Sequence, residues 1–126
     1  MIEHPEMRSY VLDVLNALAD PDYQRRVWVE RQYPHSGFYD DLDTNIHLLY
    51  DDSDIAENPR RNIGFALRNE EEARAIERLN EVLSPLYDSL PADVDHAALL
   101  AMPEWRAVVN AAQEALRVFS APDSAD

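Results

Sequence analysis

Residues 69–90 read NEEEARAIERLNEVLSPLYDSL, and this stretch decides the fold. Its large aliphatic side chains recur at spacings of three and four residues: Ile76, Leu79, Leu83, Leu86 and Leu90. That spacing places them on one face of an α-helix, as in the seam of a coiled coil. The sequence therefore predicts a long amphipathic helix that buries this face against other helices.

The two ends of this helix carry different signals. Asn69 is a typical N-cap, and the three glutamates 70–72 complement the positive end of the helix dipole. Pro85 lacks a backbone donor, so we expect it to kink the helix or restart it near Ser84.

Helical spacing recurs near both termini of the chain. Towards the N-terminus the apolar positions are Met7, Tyr10, Val11, Val14, Leu15 and Leu18. Towards the C-terminus they are Trp105, Val108, Val109, Ala112, Leu116 and Phe119. Pro5, Pro21 and Pro103 suit first helical positions. A short helix after Pro21 is favoured over a strand at Val27-Trp28-Val29, and a further short helix is expected near residues 91–102. The prediction is one all-α domain, a compact bundle of five to seven helices over residues 1–120, with a flexible tail at 121–126.

Two segments leave a choice between helix and strand. As a helix, residues 42–50 place Leu42, Ile46, Leu49 and Tyr50 on one side. As a strand, the segment alternates poorly because Leu48 and Leu49 are adjacent. A helix is favoured, with a short strand pair around 44–50 and 62–67 as the alternative.

Composition supports a helical protein. The chain has 126 residues, with two glycines, eight prolines and no cysteine. Few glycines argue against a turn-rich β fold, and the lack of cysteine excludes disulfides and thiolate chemistry. The N-terminus has no signal-peptide pattern, and no apolar run approaches the roughly 18 residues of a transmembrane helix. We expect a cytoplasmic protein.

Charge restricts the classes of partner. The chain has 25 acidic and 11 basic residues, and its formal net charge is −14. Nucleic acids and anionic membranes bind through lysine and arginine, so both are disfavoured as partners. A strongly acidic surface favours a basic protein partner instead.

Two acidic segments, YDDLD at 39–43 and YDDSD at 50–54, repeat one pattern. The candidate partner-binding residues come from them: Asp40, Asp41, Asp43, Tyr50, Asp51, Asp52 and Asp54. Eleven helical residues span about 16 Å, so one straight helix cannot bring both segments to a single ion. A solvated acidic face, a recognition surface for a cationic partner and a metal site stay open.

The helix dipole distinguishes the two acidic segments. Acids near a helix start stabilise it, whereas the three aspartates after Tyr50 would each oppose the dipole by about 0.3–1 kcal/mol at most. The three charges therefore indicate that the helix stops by about Tyr50, or that another requirement, such as binding, holds them there. Nearby arginines are expected to form ion pairs inside the fold, some of them with these aspartates: Arg25, Arg26, Arg31, Arg60 and Arg61.

Catalytic motifs are lacking in the sequence. There is no GxSxG elbow, no phosphate-binding glycine loop and no HxxxH pair. His47 lies four residues after Asp43, which could make it a general base, although an exposed ion pair or a structural histidine is more typical. We predict a protein that is not an enzyme and has no cofactor. The alternative is a divalent-metal-binding protein or small enzyme that uses Asp51, Asp52, Asp54 and His47.

Four short motifs carry a resemblance to a known family. They are LLYDD at 48–52, IGFAL at 63–67, the helix start at 69–72 and the helix start Pro103-Glu104-Trp105. From about Tyr10 to Phe119 the chain resembles a family of small acidic, uncharacterised actinobacterial proteins. That resemblance implies no catalytic residue.

In general character, though not in motif, the chain also resembles the immunity proteins of bacterial toxin systems. The likeness lies in its small size, its acidity and its lack of a catalytic constellation. The leading hypothesis is therefore a protein-binding module for a basic partner, of immunity type. It is expected to be a monomer, or a homodimer formed through the seam at 76–90.

Overall fold

Helices build the described part of the chain in the computed structural model. The structure describes residues 3–33, 42–50, 55, 57–91 and 95–121, with the backbone alone at 43 and 48. The helices are α1 (Pro5–Ala19), α2 (Pro21–Tyr23), a π-helix (Gln24–Val29), α3 (Leu42–Tyr50), a 3-10 helix (Pro59–Asn62), α4 (Glu70–Ser89), α5 (His96–Leu100) and α6 (Pro103–Ser120). Within these residues there is no strand, which confirms the all-α prediction.

Short-range chemistry sets where the helices begin. The Asn69 side chain accepts a hydrogen bond of 3.0 Å from the Glu72 backbone N–H, which confirms the predicted N-cap of α4. Asp20 caps α2 through the Tyr23 N–H at 3.1 Å. Proline occupies the start of α1, α2 and α6. It fits there because the first helical N–H groups have no partner within the helix.

The core lies between α1, α4 and α6. Helix α6 packs against both α4 and α1, and α3 packs on α1. The seam residues of α4 are buried inside the chain: Ile76, Leu79, Leu83 and Leu86. The seam is thus covered by the protein's own helices, and the oligomeric state stays a prediction.

Helix α4 continues through Pro85 and ends at Ser89, so the prediction that it restarts near Ser84 is wrong. Proline removes one backbone N–H from the helix ladder, and here it lies on the exposed side. The carbonyl four residues earlier, at the exposed Glu81, can bond to water instead. Leu83 and Leu86, on either side of Pro85, are both buried and hold the helix in one piece.

The alternative strand pair is also wrong. Residues 44–50 lie within α3, where the helix buries Leu42, Ile46 and Leu49 together. Residues 62–67 form a tight turn with one isolated bridge between Ile63 and Leu67. The Asn62 carbonyl accepts the N–H groups of residues 65, 66 and 67 at 3.0, 3.0 and 2.9 Å. Gly64 adopts a φ of 89°, which glycine tolerates because it has no Cβ.

The segment around Val27-Trp28-Val29 forms a π-helix, which confirms the prediction of a short helix over a strand. Its wider winding buries Gln24 together with Val27 and Trp28. The Trp28 ring meets the Trp105 ring edge-on, with centroids 6.0 Å apart. This contact joins the π-helix to the start of α6.

Candidate functional site

Most of the predicted partner-binding aspartates lie outside the described residues: Asp40, Asp41, Asp51, Asp52 and Asp54. The Asp43 backbone lies in the first turn of α3, and Tyr50 is the last residue of that helix. Because residues 51–54 lie outside the described ranges, the expectation that the helix stops by about Tyr50 stays a prediction. The two acidic segments flank α3 in the sequence.

Tyr50 is half-buried and contacts α4. Its hydroxyl donates a hydrogen bond to the Oδ1 atom of Asn80. Burial, together with the negative charges of Asp88 and Glu57, raises the pKa of Tyr50 to about 12. The phenol therefore stays protonated at neutral pH.

A small pocket opens beside Tyr50, between the last turns of α3 and α4. The residues that line this α3–α4 pocket are Ile46, His47, Tyr50, Ser84, Tyr87 and Asp88, and its volume is about 240 Å³. Helix α4 ends here at Ser89, and a helix C-terminus carries partial negative charge. The last turn of α4 has no basic residue, whereas the last turn of α3 contributes His47. The pocket therefore combines aromatic walls, one histidine and one aspartate with the negative end of α4.

Sequence reasoning missed the α4 side of this pocket. Ser84, Tyr87 and Asp88 surround Pro85, where the sequence predicts a kink or a restart of the helix. One signal was present: Tyr87-Asp88 is a third tyrosine–aspartate pair, after 39–40 and 50–51. Only the packed fold shows that this third pair lies beside the end of α3.

The predicted internal pairing of arginines occurs with glutamates and with an aspartate outside the acidic segments. Arg60 lies 2.6 Å from Glu70 and 3.2 Å from Glu77. Arg25 lies 3.6 Å from Asp22 and 3.8 Å from Glu30. The hydrogen bond from Arg60 lowers the pKa of Glu70. These exposed pairs contribute little stability, and the predicted pairing with the acidic segments falls outside the described residues.

A buried ion triad forms where α1 and α4 begin and α6 ends. The Glu72 side chain is fully buried. Its oxygens accept bidentate hydrogen bonds of 2.7 and 2.9 Å from Arg8. They also accept the backbone N–H of Arg68 at 2.8 Å and its Nε at 2.6 Å. Arg68 Nη2 bonds onward to the carbonyls of Phe119 at 3.0 Å and Ala121 at 2.9 Å.

The triad keeps Glu72 ionised. Burial by itself would raise the pKa of this carboxyl group, but the hydrogen bonds from Arg8 and from the backbone and side chain of Arg68 outweigh it. The net effect is a lowered pKa. With every oxygen held by protein donors, this cluster serves as a structural joint between helices.

The lowered pKa predicts how stability depends on pH. A carboxyl group whose pKa is lower in the folded than in the unfolded state stabilises the fold above the unfolded value, about 4.3 for glutamate. That contribution disappears as the pH falls through the lower, folded-state pKa. The gap in unfolding free energy between wild type and Glu72→Gln should therefore be full near pH 7 and shrink steadily below pH about 4. Urea titrations at several pH values measure it, and a gap independent of pH would contradict the prediction.

A larger groove of about 740 Å³ lies between α2, α5 and α6. Gln24 lines it, and both N–H groups of its amide donate within the protein, to the carbonyls of Ala17 at 2.8 Å and Leu18 at 2.9 Å. Its Oε1 accepts the Trp105 indole N–H at 2.9 Å. This polar centre is therefore engaged in joining α1, the π-helix and α6.

The described ranges contain neither a metal cluster nor a membrane-spanning helix. Within them, no group of three or more histidine, aspartate or glutamate side chains is placed to hold a metal ion. The metal alternative depends mainly on residues 51–54, which lie beyond those ranges. Among the described helices, none is both long and apolar enough to cross a membrane.

Fold and site together define a small acidic all-α protein with a tyrosine-lined pocket between α3 and α4. The chain matches, over residues 2–126, the model of a family described as a domain of unknown function (DUF7945), and it belongs to that family. No curated protein and no solved structure matches the chain. The resemblance to a family without a known function is thus confirmed, while the actinobacterial source and the immunity likeness stay predictions.

Proposed function

We propose that the protein is an interaction module that binds a basic protein partner, with an immunity-type role as its most concrete form. The observation that carries the proposal is the distribution of charge. The chain has 25 acidic residues against 11 basic ones. Six of those acids fall in residues 40–54, a stretch with no arginine: Asp40, Asp41, Asp43, Asp51, Asp52 and Asp54.

Ion pairs within the chain engage much of the basic charge at other places. Arg8 and Arg68 share Glu72, and Arg60 and Arg74 both contact Glu70. Arg117 pairs with Glu114 on the same helix. The acidic surplus therefore concentrates, in sequence, on either side of α3. Such a concentration of one sign of charge attracts an oppositely charged partner and speeds its association.

A defined basic probe tests this proposal. The probe is a fluorescein-labelled octa-arginine peptide, and stopped-flow anisotropy measures its association rate constant. The test variant replaces Asp51, Asp52 and Asp54 by asparagine. We expect its association rate constant at low ionic strength to fall about tenfold, at the lower end of electrostatic steering effects.

A matched control removes the same amount of charge elsewhere. It replaces three exposed glutamates by glutamine: Glu6, Glu81 and Glu104. We expect this control to slow association by less than about twofold, because steering depends on charge close to the docking surface. Equal slowing by the two triple variants, or rates that do not change with salt, would contradict the proposal.

A further inference from the structure

We propose that the α3–α4 pocket receives an arginine side chain of the basic partner. This inference rests on the proposed function and assigns its anchoring contact to described residues of α3 and α4. Arginine is among the residues that most often dominate binding energy at interfaces, where its side chain fills a well-packed pocket.

The size and walls of the pocket fit a single side chain. Its volume of about 240 Å³ is below the roughly 300–1,000 Å³ of pockets that enclose whole small molecules. Tyr50 and Tyr87 contribute aromatic rings, and Ile46 contributes an apolar floor. A planar guanidinium stacks on aromatic faces and is less strongly hydrated than a lysine ammonium, so entering such a pocket costs it less.

The electrostatic field at the pocket favours a cation. The C-terminal end of α4, at Ser89, places partial negative charge there. The Asp88 carboxylate lies in the lining. Burial, with the charges of Asp88 and Glu57, raises the pKa of Tyr50, so its phenol stays neutral and can remain hydrogen-bonded to Asn80.

The polar atoms of the lining are suited to accept hydrogen bonds. Tyr50 donates its only hydroxyl proton to Asn80, so its oxygen can still accept a hydrogen bond through its lone pairs. The Asp88 carboxylate is an acceptor, and the Ser84 hydroxyl can accept as well. A guanidinium offers five N–H donors and no acceptor, which matches this set.

An NMR titration tests the pocket directly. The probes are N-acetyl-arginine amide and N-acetyl-lysine amide, added separately to the ¹⁵N-labelled protein at constant ionic strength. We expect the arginine probe to give saturable shifts centred on residues 46–50 and 84–88. The lysine probe should bind at least about threefold more weakly, because it lacks the planar fork.

Two variants and one control test which residues of the pocket bind the arginine side chain. Asp88→Asn should weaken arginine binding about tenfold, since it removes a charge-assisted acceptor. Tyr50→Phe removes the phenol oxygen and should weaken binding about threefold. Glu81→Gln removes one exposed charge seven residues earlier on α4 and should change the affinity by less than about twofold. Circular dichroism of each variant checks that the helices remain.

Three outcomes would overturn the inference: shifts spread over the acidic surface without saturation, equal effects of Asp88→Asn and Glu81→Gln, or equal affinity for the two probes. If the titration shows no saturable binding while the association rate of the octa-arginine peptide still depends on residues 51–54, only the pocket assignment is wrong. If the pocket binds arginine while the two triple variants slow the peptide equally, the proposed function falls instead.

Discussion

Replacement of Glu72 by alanine is expected to lower the free energy of unfolding by about 3–5 kcal/mol, the usual cost of removing one partner from a buried ion pair. The reason is the charge left behind. Arg8 and Arg68 are largely buried, with side chains 15% and 21% exposed. Without Glu72, two largely buried guanidinium groups lose the carboxylate that they share.

The neighbouring residue provides a matched control. Glu71 lies in the same first turn of α4 and is exposed. Glu71→Ala removes the same side chain from the same helix end, and we expect its effect to stay within about 0.5 kcal/mol. Urea denaturation followed by circular dichroism measures both variants. Similar losses of stability in the two would show that the helix dipole, and not the buried triad, accounts for the effect.

The triad has a large effect because it joins segments that are distant in sequence. Arg8 belongs to α1 and also donates to the Ala66 carbonyl at 3.2 Å. Its guanidinium lies 4.9 Å from the centre of the Phe119 ring near the end of α6. One carboxylate therefore fixes the starts of α1 and α4 against the end of α6. Loss of Glu72 should loosen all three contacts together.

The helices could be predicted from the sequence because their signals are local. The seam of α4, the Asn69 cap and the prolines at helix starts act within one or two turns, and each is found where it was expected. The predicted restart at Pro85 is wrong because the local cost of the proline is offset by burial of Leu83 and Leu86 against other helices. That offset depends on tertiary packing, and no local sequence pattern predicts it.

The partners of a buried polar residue are likewise hard to predict from local sequence. Glu72 lies four residues before Ile76, on the line of the buried seam, so its position hinted at burial. For a glutamate in a first turn, however, the local sequence indicates only an interaction with the helix dipole. Its real partners are Arg8, 64 residues away, and the nearby Arg68. A charged residue in line with an apolar stripe is thus a usable signal, provided that partners are sought far along the chain.

The candidate site was predictable only in its acidic character. Charge composition and the two acidic segments indicated the region around α3. The pocket, however, exists because the end of α3 lies beside the end of α4, with Tyr50 bonded to Asn80 30 residues away. Contacts of this kind follow from tertiary packing. The spacing of residues within one segment does not predict them.

Gln24→Ala is expected to lower the free energy of unfolding by about 2–4 kcal/mol, from a cavity and from buried polar groups left without partners. Gln24 is fully buried. Its amide satisfies the carbonyls of Ala17 and Leu18 near the end of α1, and it accepts the Trp105 indole N–H. Carbonyls in the last turn of a helix have no partner within that helix, so these bonds are hard to replace.

Gln113→Ala is the matched control. The Gln113 side chain makes one comparable bond, to the Ala19 carbonyl at 3.1 Å, from an exposed position. Water can replace that bond, so we expect a loss of no more than about 1 kcal/mol. Urea denaturation measures both variants, and the indole N–H resonance of Trp105 reports whether its hydrogen bond persists.

Gln24→Glu separates the lost volume from the lost donors. The glutamate keeps the size of the side chain and can still accept the Trp105 N–H, but when ionised it has no proton for the carbonyls of Ala17 and Leu18. Its negative charge would also face two carbonyl oxygens inside the protein. If the donors matter most, Gln24→Glu should destabilise at least as much as Gln24→Ala. If filling the space were sufficient, Gln24→Glu would unfold near the wild-type midpoint, and the role assigned to the amide donors would be wrong.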